Sequence, residues 1–188
     1  GSLYGDLNGQ VNALDLGASR LGQLLDEYGA KLVEDCVEEL TVRAEKLMRS
    51  NIESIPDGQY SFEDFLDNDG IVDEPLKIAL DVTIRGDEMT LDFSRTSPAC
   101  AGPVNISEST TVASCYVALK HVFTDVPANA GVLGPIKFII PDGSLLKVKA
   151  PKPVGGYTET ILRVIDVMFS VMAQAAPERT NAHAYGTI

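Results

Sequence analysis

The 188-residue chain has no tryptophan, two histidines, three cysteines and no long uncharged apolar run. Each shortage removes a class of reading. His121 stands beside Lys120 and His183 lies near the C-terminus, so there is no His-x-x-x-His pair and no Cys/His cluster for an imidazole-based metal site. Cys36, Cys100 and Cys115 form no Cys-x-x-Cys pair. An odd cysteine count without a basic-then-apolar secretory start predicts reduced thiols and a cytoplasmic location. Cys36 and Cys115 fall on predicted apolar helix faces and read as small core residues. The most apolar stretch, Val164 to Ala176, contains Asp166 and is too short for a membrane span. No Gly-x-Ser-x-Gly elbow is present, which leaves a self-contained serine triad without support.

Basic clusters are missing too. The net charge is −12, and all of it lies in residues 1–74, which hold 17 Asp/Glu against 5 Lys/Arg. Residues 75–188 hold 10 of each. Nucleic acid and anionic membrane surfaces need clustered basic residues, so neither is expected as the main partner. The acidic excess reads as a solvated helix face plus an acidic loop. Asp67-Asn68-Asp69-Gly70 resembles the start of an EF-hand loop. With Gly70 at the sixth position, the first and twelfth ligands would be Phe65 and Leu76, which carry no side-chain oxygen. The stretch reads as a turn, whose neighbouring carboxylates Glu63, Asp64, Asp67 and Asp69 could hold a cation only loosely.

The chain is 45% hydrophobic, enough to bury a core in one or two domains. Leu7, Val11, Leu14, Ala18, Leu21 and Leu25 repeat at steps of four and three, one stripe of an amphipathic helix. Asp6 is a candidate N-cap and Gly29 a stop. A second helix carries Val33, Cys36, Leu40, Ala44 and Leu47 with acidic residues between them and ends near Asn51, and an antiparallel pair is expected. From Ile55 the period falls to two. Tyr60 and Phe62 begin a strand. Ile78, Leu80, Val82 and Ile84, then Met89, Leu91 and Phe93, alternate around Arg85-Gly86-Asp87-Glu88 as a hairpin. A helix follows over about Ser107 to Phe123. "IKFII" is a further strand, and "SLLKV" extends the sheet. A last helix runs from about Thr158 to Ala176 and stops at Pro177. The expected fold is α+β: a helical hairpin over 1–52, then a mostly antiparallel sheet with packed helices over 53–188.

The stretch "PVGGYTETILRVID" carries the most chemistry. Neither Gly155-Gly156 nor Gly131-Val132-Leu133-Gly134-Pro135 continues as a P-loop or fits Gly-x-Gly-x-x-Gly. Gly155-Gly156 does precede a helix start, where free N–H groups attract anions. Motif evidence favours a tight turn that seats the helix. Glu159, Arg163 and Asp166 share one face of an otherwise apolar helix. Two readings stay open: a buried row that largely pairs with itself, or a charge row at the edge of a cleft.

Five segments in order resemble the hydantoinase B/oxoprolinase family: "GDLNGQVNALDLGASRLGQLLDEYG", "IPDGQYSFEDFLDNDG", "LDFSRTSPACAGPVNIS", "VPANAGVLGPIKFIIPDGSLL" and "PVGGYTETILRVIDVMFSVMAQAAPER". Together they cover essentially the whole chain. Members are considerably longer, so the resemblance implies a fragment of a larger subunit, and the Gly1-Ser2 start agrees with an excised piece. It further implies a role in an ATP-dependent enzyme that opens hydantoin or 5-oxoproline-type rings after phosphoryl activation of a carbonyl oxygen. ATP would be bound by a hydantoinase A-type subunit or domain, within a hetero-oligomer. A divalent metal would belong to a His/Asp-bearing segment upstream of "GDLNGQ", and none is expected within this fragment, which alone would be inactive. Related assemblies carboxylate acetone or acetophenone, which is the alternative function. A non-catalytic assembly domain is the third. Asn105, Thr158, Glu159 and Arg163 are the candidates for substrate contact or positioning. The resemblance assigns none of them a catalytic role.

Overall fold

A computed structural model describes residues 2–180, 182 and 183. Gly1, Asn181 and the tail beyond His183 lie outside the described residues. The chain divides into two compact units, Gly1–Arg43 and Ala44–Ile188.

The first unit is helical. Helix α1 spans Ser2–Tyr28, and α2, which spans Ala30–Glu53, begins in this unit. Gly29, at φ +80°, separates them in the left-handed conformation that ends helices. Asp6 lies inside α1 rather than at its cap, because the helix starts before it. The apolar stripe of α1 is open: Leu7, Val11, Leu14 and Leu21 are all exposed. Cys36 is exposed as well, against the expectation of a core thiol.

The second unit holds the core. It opens with the last turns of α2, where Ala44, Met48 and Ile52 are buried at steps of four. The sequence reading selects Leu47 instead of Met48, but Leu47 is exposed. The sheet has the order β1-β2-β3-β4. Strands β1 (Gly58–Leu66) and β2 (Leu76–Arg85) are antiparallel, as are β2 and β3 (Glu88–Asp92). Gly86, at φ +58°, supplies the left-handed residue that a two-residue hairpin loop needs. Helix α3 (Glu108–Val122), capped by the Ser107 hydroxyl on the Thr110 N–H, then carries the chain to β4 (Ile136–Ile139). β4 lies parallel to β3, as a long helical crossover allows.

The segment "SLLKV" forms no strand. Only Ser144 makes a single bridge, to Pro98. The Lys147 N–H is given locally, to Ser144 O at 3.1 Å, so the segment turns instead of extending, and it buries both Leu145 and Leu146. Helix α4 (Tyr157–Ala175) packs on β1, β2 and α3. Its Val164, Val167, Met168, Val171 and Met172 join Ile78, Leu80, Val82, Met89 and Leu91 in one core cluster.

Candidate positioning site at the start of helix α4

The start of α4 is held by a loop, and that loop is held by a turn. The turn is Asp67-Asn68-Asp69-Gly70. Asp69 is buried, and its carboxylate accepts from the N–H groups of Ile71 at 2.8 Å, Val72 at 2.6 Å and Gly102 at 2.8 Å. These bonds favour the ionised form. The Val72 N–H first, then those of Gly102 and Ile71, hold the carboxyl at about 2. The first two bonds close the turn locally. The third reaches 33 residues along the chain.

Gly102 fits because it has no side chain. A Cβ there would stand 1.8 Å from the carbonyl oxygen of Asp69. The loop then closes on Asn105, which is completely buried. Its Oδ1 accepts from the Cys100 N–H at 2.9 Å. Its Nδ2 donates to the carbonyls of Gly102 at 2.9 Å and Pro153 at 3.0 Å, with a longer contact to Cys100 O at 3.3 Å. The Cys100 thiol sits against Asn105 and Gly102. Burial, then the Asp69 charge, pushes its pKa up, so it is not poised as a nucleophile.

Two further ties reach α4 itself. The Gly156 N–H donates to Pro103 O at 2.9 Å, and the buried Thr160 hydroxyl donates to Val104 O. Thr158 and Glu159 lie half-buried in the first turn. One turn on, Arg163 donates to the carboxylate of Asp64 on β1. That partner lies outside the Glu159/Arg163/Asp166 row, where helix spacing cannot reveal it. Asp166 is buried. The structure thus ties Asn105 to the segment leading into α4, on which Thr158, Glu159 and Arg163 follow. It also identifies Asp69, Gly102 and Thr160, whose tertiary roles the sequence does not show. Asp69 had the faintest signal, an Asx-type turn sequence.

The Gly155-Gly156 turn does not fit a phosphate cradle, since the Gly156 N–H is already given to Pro103. Among the described residues, no group of three or more His, Cys, Asp or Glu side chains could hold a metal ion. Also among them, no helix is long and apolar enough to cross a membrane. A hollow of about 780 Å³ lies on the outer face of the sheet, lined by Asp81, Thr83, Thr90, Asp92 and Lys137 among others. Strand alternation puts those residues opposite the core face that α4 covers.

Asp69 gives an acid-limb prediction. Its folded pKa is depressed, so its contribution is present above the unfolded carboxylate value of about 3.9 and is lost as pH falls through about 2. The gap in Tm between wild type and Asp69→Asn should therefore narrow as pH drops from about 4 to about 2. Thermal unfolding at stepped pH checks this. A gap of constant width would mean that ionised Asp69 contributes nothing to the fold.

Known proteins share both this sequence and this fold. The family model for hydantoinase B/oxoprolinase matches residues 1–188. The B-type chain of a putative D-/L-hydantoinase from Pseudomonas sp. (strain NS671) is 32% identical over 96% of the chain and 32% of its own length. The beta chain of the caprolactamase from Pseudomonas jessenii is 33% identical over 97% of the chain and 32% of its own length. The chain therefore spans about a third of the length of these curated relatives. The crystal structure of the ATP-dependent caprolactamase from Pseudomonas jessenii superposes with a TM-score of 0.83 at 31% identity, covering 93% of this chain and 31% of that one. A nucleotide-free acetone carboxylase structure superposes at 0.72 but with 14% identity over 87% of this chain and 24% of that one, which speaks to fold alone. The family match runs from the first residue to the last, and the chain belongs to the hydantoinase B/oxoprolinase family.

Proposed function

We propose that the chain is part of the B-type subunit of an ATP-dependent hydrolase that opens cyclic amides of the hydantoin or 5-oxoproline type. One observation carries this reading. Whole-chain similarity at 32–33% identity joins it to a hydantoinase chain and a caprolactamase chain, both named for ring amides. The net reaction consumes one ATP and two waters: one water is added across the ring C–N bond and leaves a carboxylate and the freed amine (a ureido nitrogen from a hydantoin), and the other leaves with the γ-phosphoryl group as phosphate beside ADP. In this reading ATP is bound by a hydantoinase A-type partner, within a cytoplasmic hetero-oligomer. The fragment alone is inactive. Within it, Asn105, Thr158, Glu159 and Arg163 contact the substrate or position what does.

The carboxylase alternative has fold likeness behind it and no more, at 14% identity. The test is substrate-dependent ADP release by the full-length protein reconstituted with its A-type partner. One arm holds cyclic amides and the other holds simple ketones with bicarbonate. ADP release is expected in the first arm. Release only in the second would transfer the assignment to a carboxylase.

A further inference from the structure

The ties around α4 form one continuous line. Asp69 fixes Gly102 through its N–H, and Gly102 presents its carbonyl to Asn105. Asn105 passes the line to Pro153, three residues before Gly156. Pro103 and Val104, the two residues between Gly102 and Asn105, receive Gly156 and Thr160. The first turn of α4 is therefore located by the loop, and the loop by one carboxylate in the turn after β1. Buried polar groups matched this fully hold one geometry, because any displacement leaves one of them unpaired. Gly102 narrows the geometry further, since it lies too close to the Asp69 backbone to admit even a methyl group.

We propose that Asp69 is a positioning residue for the site: through Gly102 and Asn105 it sets where the first turn of α4, with Thr158 and Glu159, meets the substrate. This rests on the reading above that the α4 start belongs to the substrate site of a cyclic-amide hydrolase. It adds a residue that the sequence does not nominate, and it separates two roles. Asn105 has its donors and acceptor on its own chain, so it acts with Asp69 by positioning, and contact falls to the α4 turn. Displacing a turn that meets the substrate weakens substrate binding even where the fold survives.

The experiment uses the full-length protein with its A-type partner and compares Asp69→Asn with Thr111→Val. The second variant removes a buried hydrogen bond elsewhere, from the Thr111 hydroxyl to Leu146 O at 2.6 Å. Hydrogen exchange is followed over residues 153–160, alongside KM and kcat for amide-dependent ADP release. Asp69→Asn should speed exchange in that segment about tenfold. It should also lower kcat/KM about tenfold, mostly through KM. Thr111→Val should lower Tm while leaving exchange over 153–160 and KM as in the wild type. If Asp69→Asn does not fold, Thr160→Val removes a single tie and should show the same two effects more weakly. Asp69→Asn with normal exchange over 153–160 and normal KM overturns the proposal, whatever its Tm. If the wild type releases no ADP with any cyclic amide, the functional reading fails, and the exchange data still decide whether Asp69 positions α4.

Discussion

Gly102→Ala should unfold the loop that seats α4, with a loss of about 3 kcal/mol or more. Ordinary overpacking costs about 1–3 kcal/mol, because side chains can rotate away. Here the methyl group would meet backbone, 1.8 Å from the Asp69 carbonyl oxygen and 2.8 Å from its carbonyl carbon. Neither atom can move without shifting the turn. That turn is fixed by the bonds from Ile71 and Val72 to the Asp69 carboxylate. Opening the gap would also pull the Gly102 N–H from the same carboxylate. Gly155→Ala is the control. A Cβ at Gly155 meets nothing within 4 Å, and its φ is not in the left-handed region. That variant should stay within about 0.5 kcal/mol of wild type. Thermal unfolding of the full-length protein and both variants, side by side, makes the comparison. Equal stability of the two alanine variants would mean that the loop is not in close contact with the turn.

The contrast between these glycines shows what a sequence can reveal. Gly155-Gly156 draws attention because it stands before a helix start, yet Gly155 faces open space. Gly102 sits in a Pro/Gly loop without a motif, and its constraint comes from a residue 33 positions away. Local chemistry was legible. The β2–β3 hairpin follows from alternation, with Gly86 at the turn and Ile78, Leu80, Val82, Ile84, Met89 and Leu91 buried on one face. α4 ended where Pro177 required it. Patterns that local period leaves ambiguous do not decide the structure. "SLLKV" has the composition of a strand, but Leu145 and Leu146 plug the core from an irregular segment. The stripe of α1 is as regular as a buried one and is nonetheless exposed, since period reports amphipathicity and not what covers the face. The parallel pairing of β4 with β3 likewise depends on the α3 crossover and leaves no mark in "IKFII" itself. The site divides in the same way. Asn105, Thr158, Glu159 and Arg163 carry recognisable chemistry and could be nominated. Asp69 looked like a turn residue because its decisive partner is distant.

Arg163→Ala should lower turnover of the reconstituted enzyme about 100-fold and cost about 2 kcal/mol of stability. The stability figure follows from burial. Arg163 and Asp64 side chains are 18% and 35% exposed. That places the pair between exposed pairs, worth about 0–1 kcal/mol, and fully buried ones, whose breakage costs about 3–5. A double-mutant cycle with Asp64→Asn isolates the pair from the rest of each side chain. The turnover figure rests on place: Arg163 ties the α4 segment just beyond Thr158 and Glu159 to the edge strand β1. Arg163→Lys separates brace from site. A lysine retains the charge and should recover much of the stability, but it lacks the planar fork of a guanidinium. If turnover recovers with stability, Arg163 acts only as a brace between helix and sheet. If stability returns and turnover does not, the guanidinium itself serves the reaction. An assembly that stays intact in Arg163→Ala while turnover collapses excludes the reading of this segment as a passive support. Unchanged turnover and unchanged assembly would remove Arg163 from the site and leave α4's contribution to its first turn.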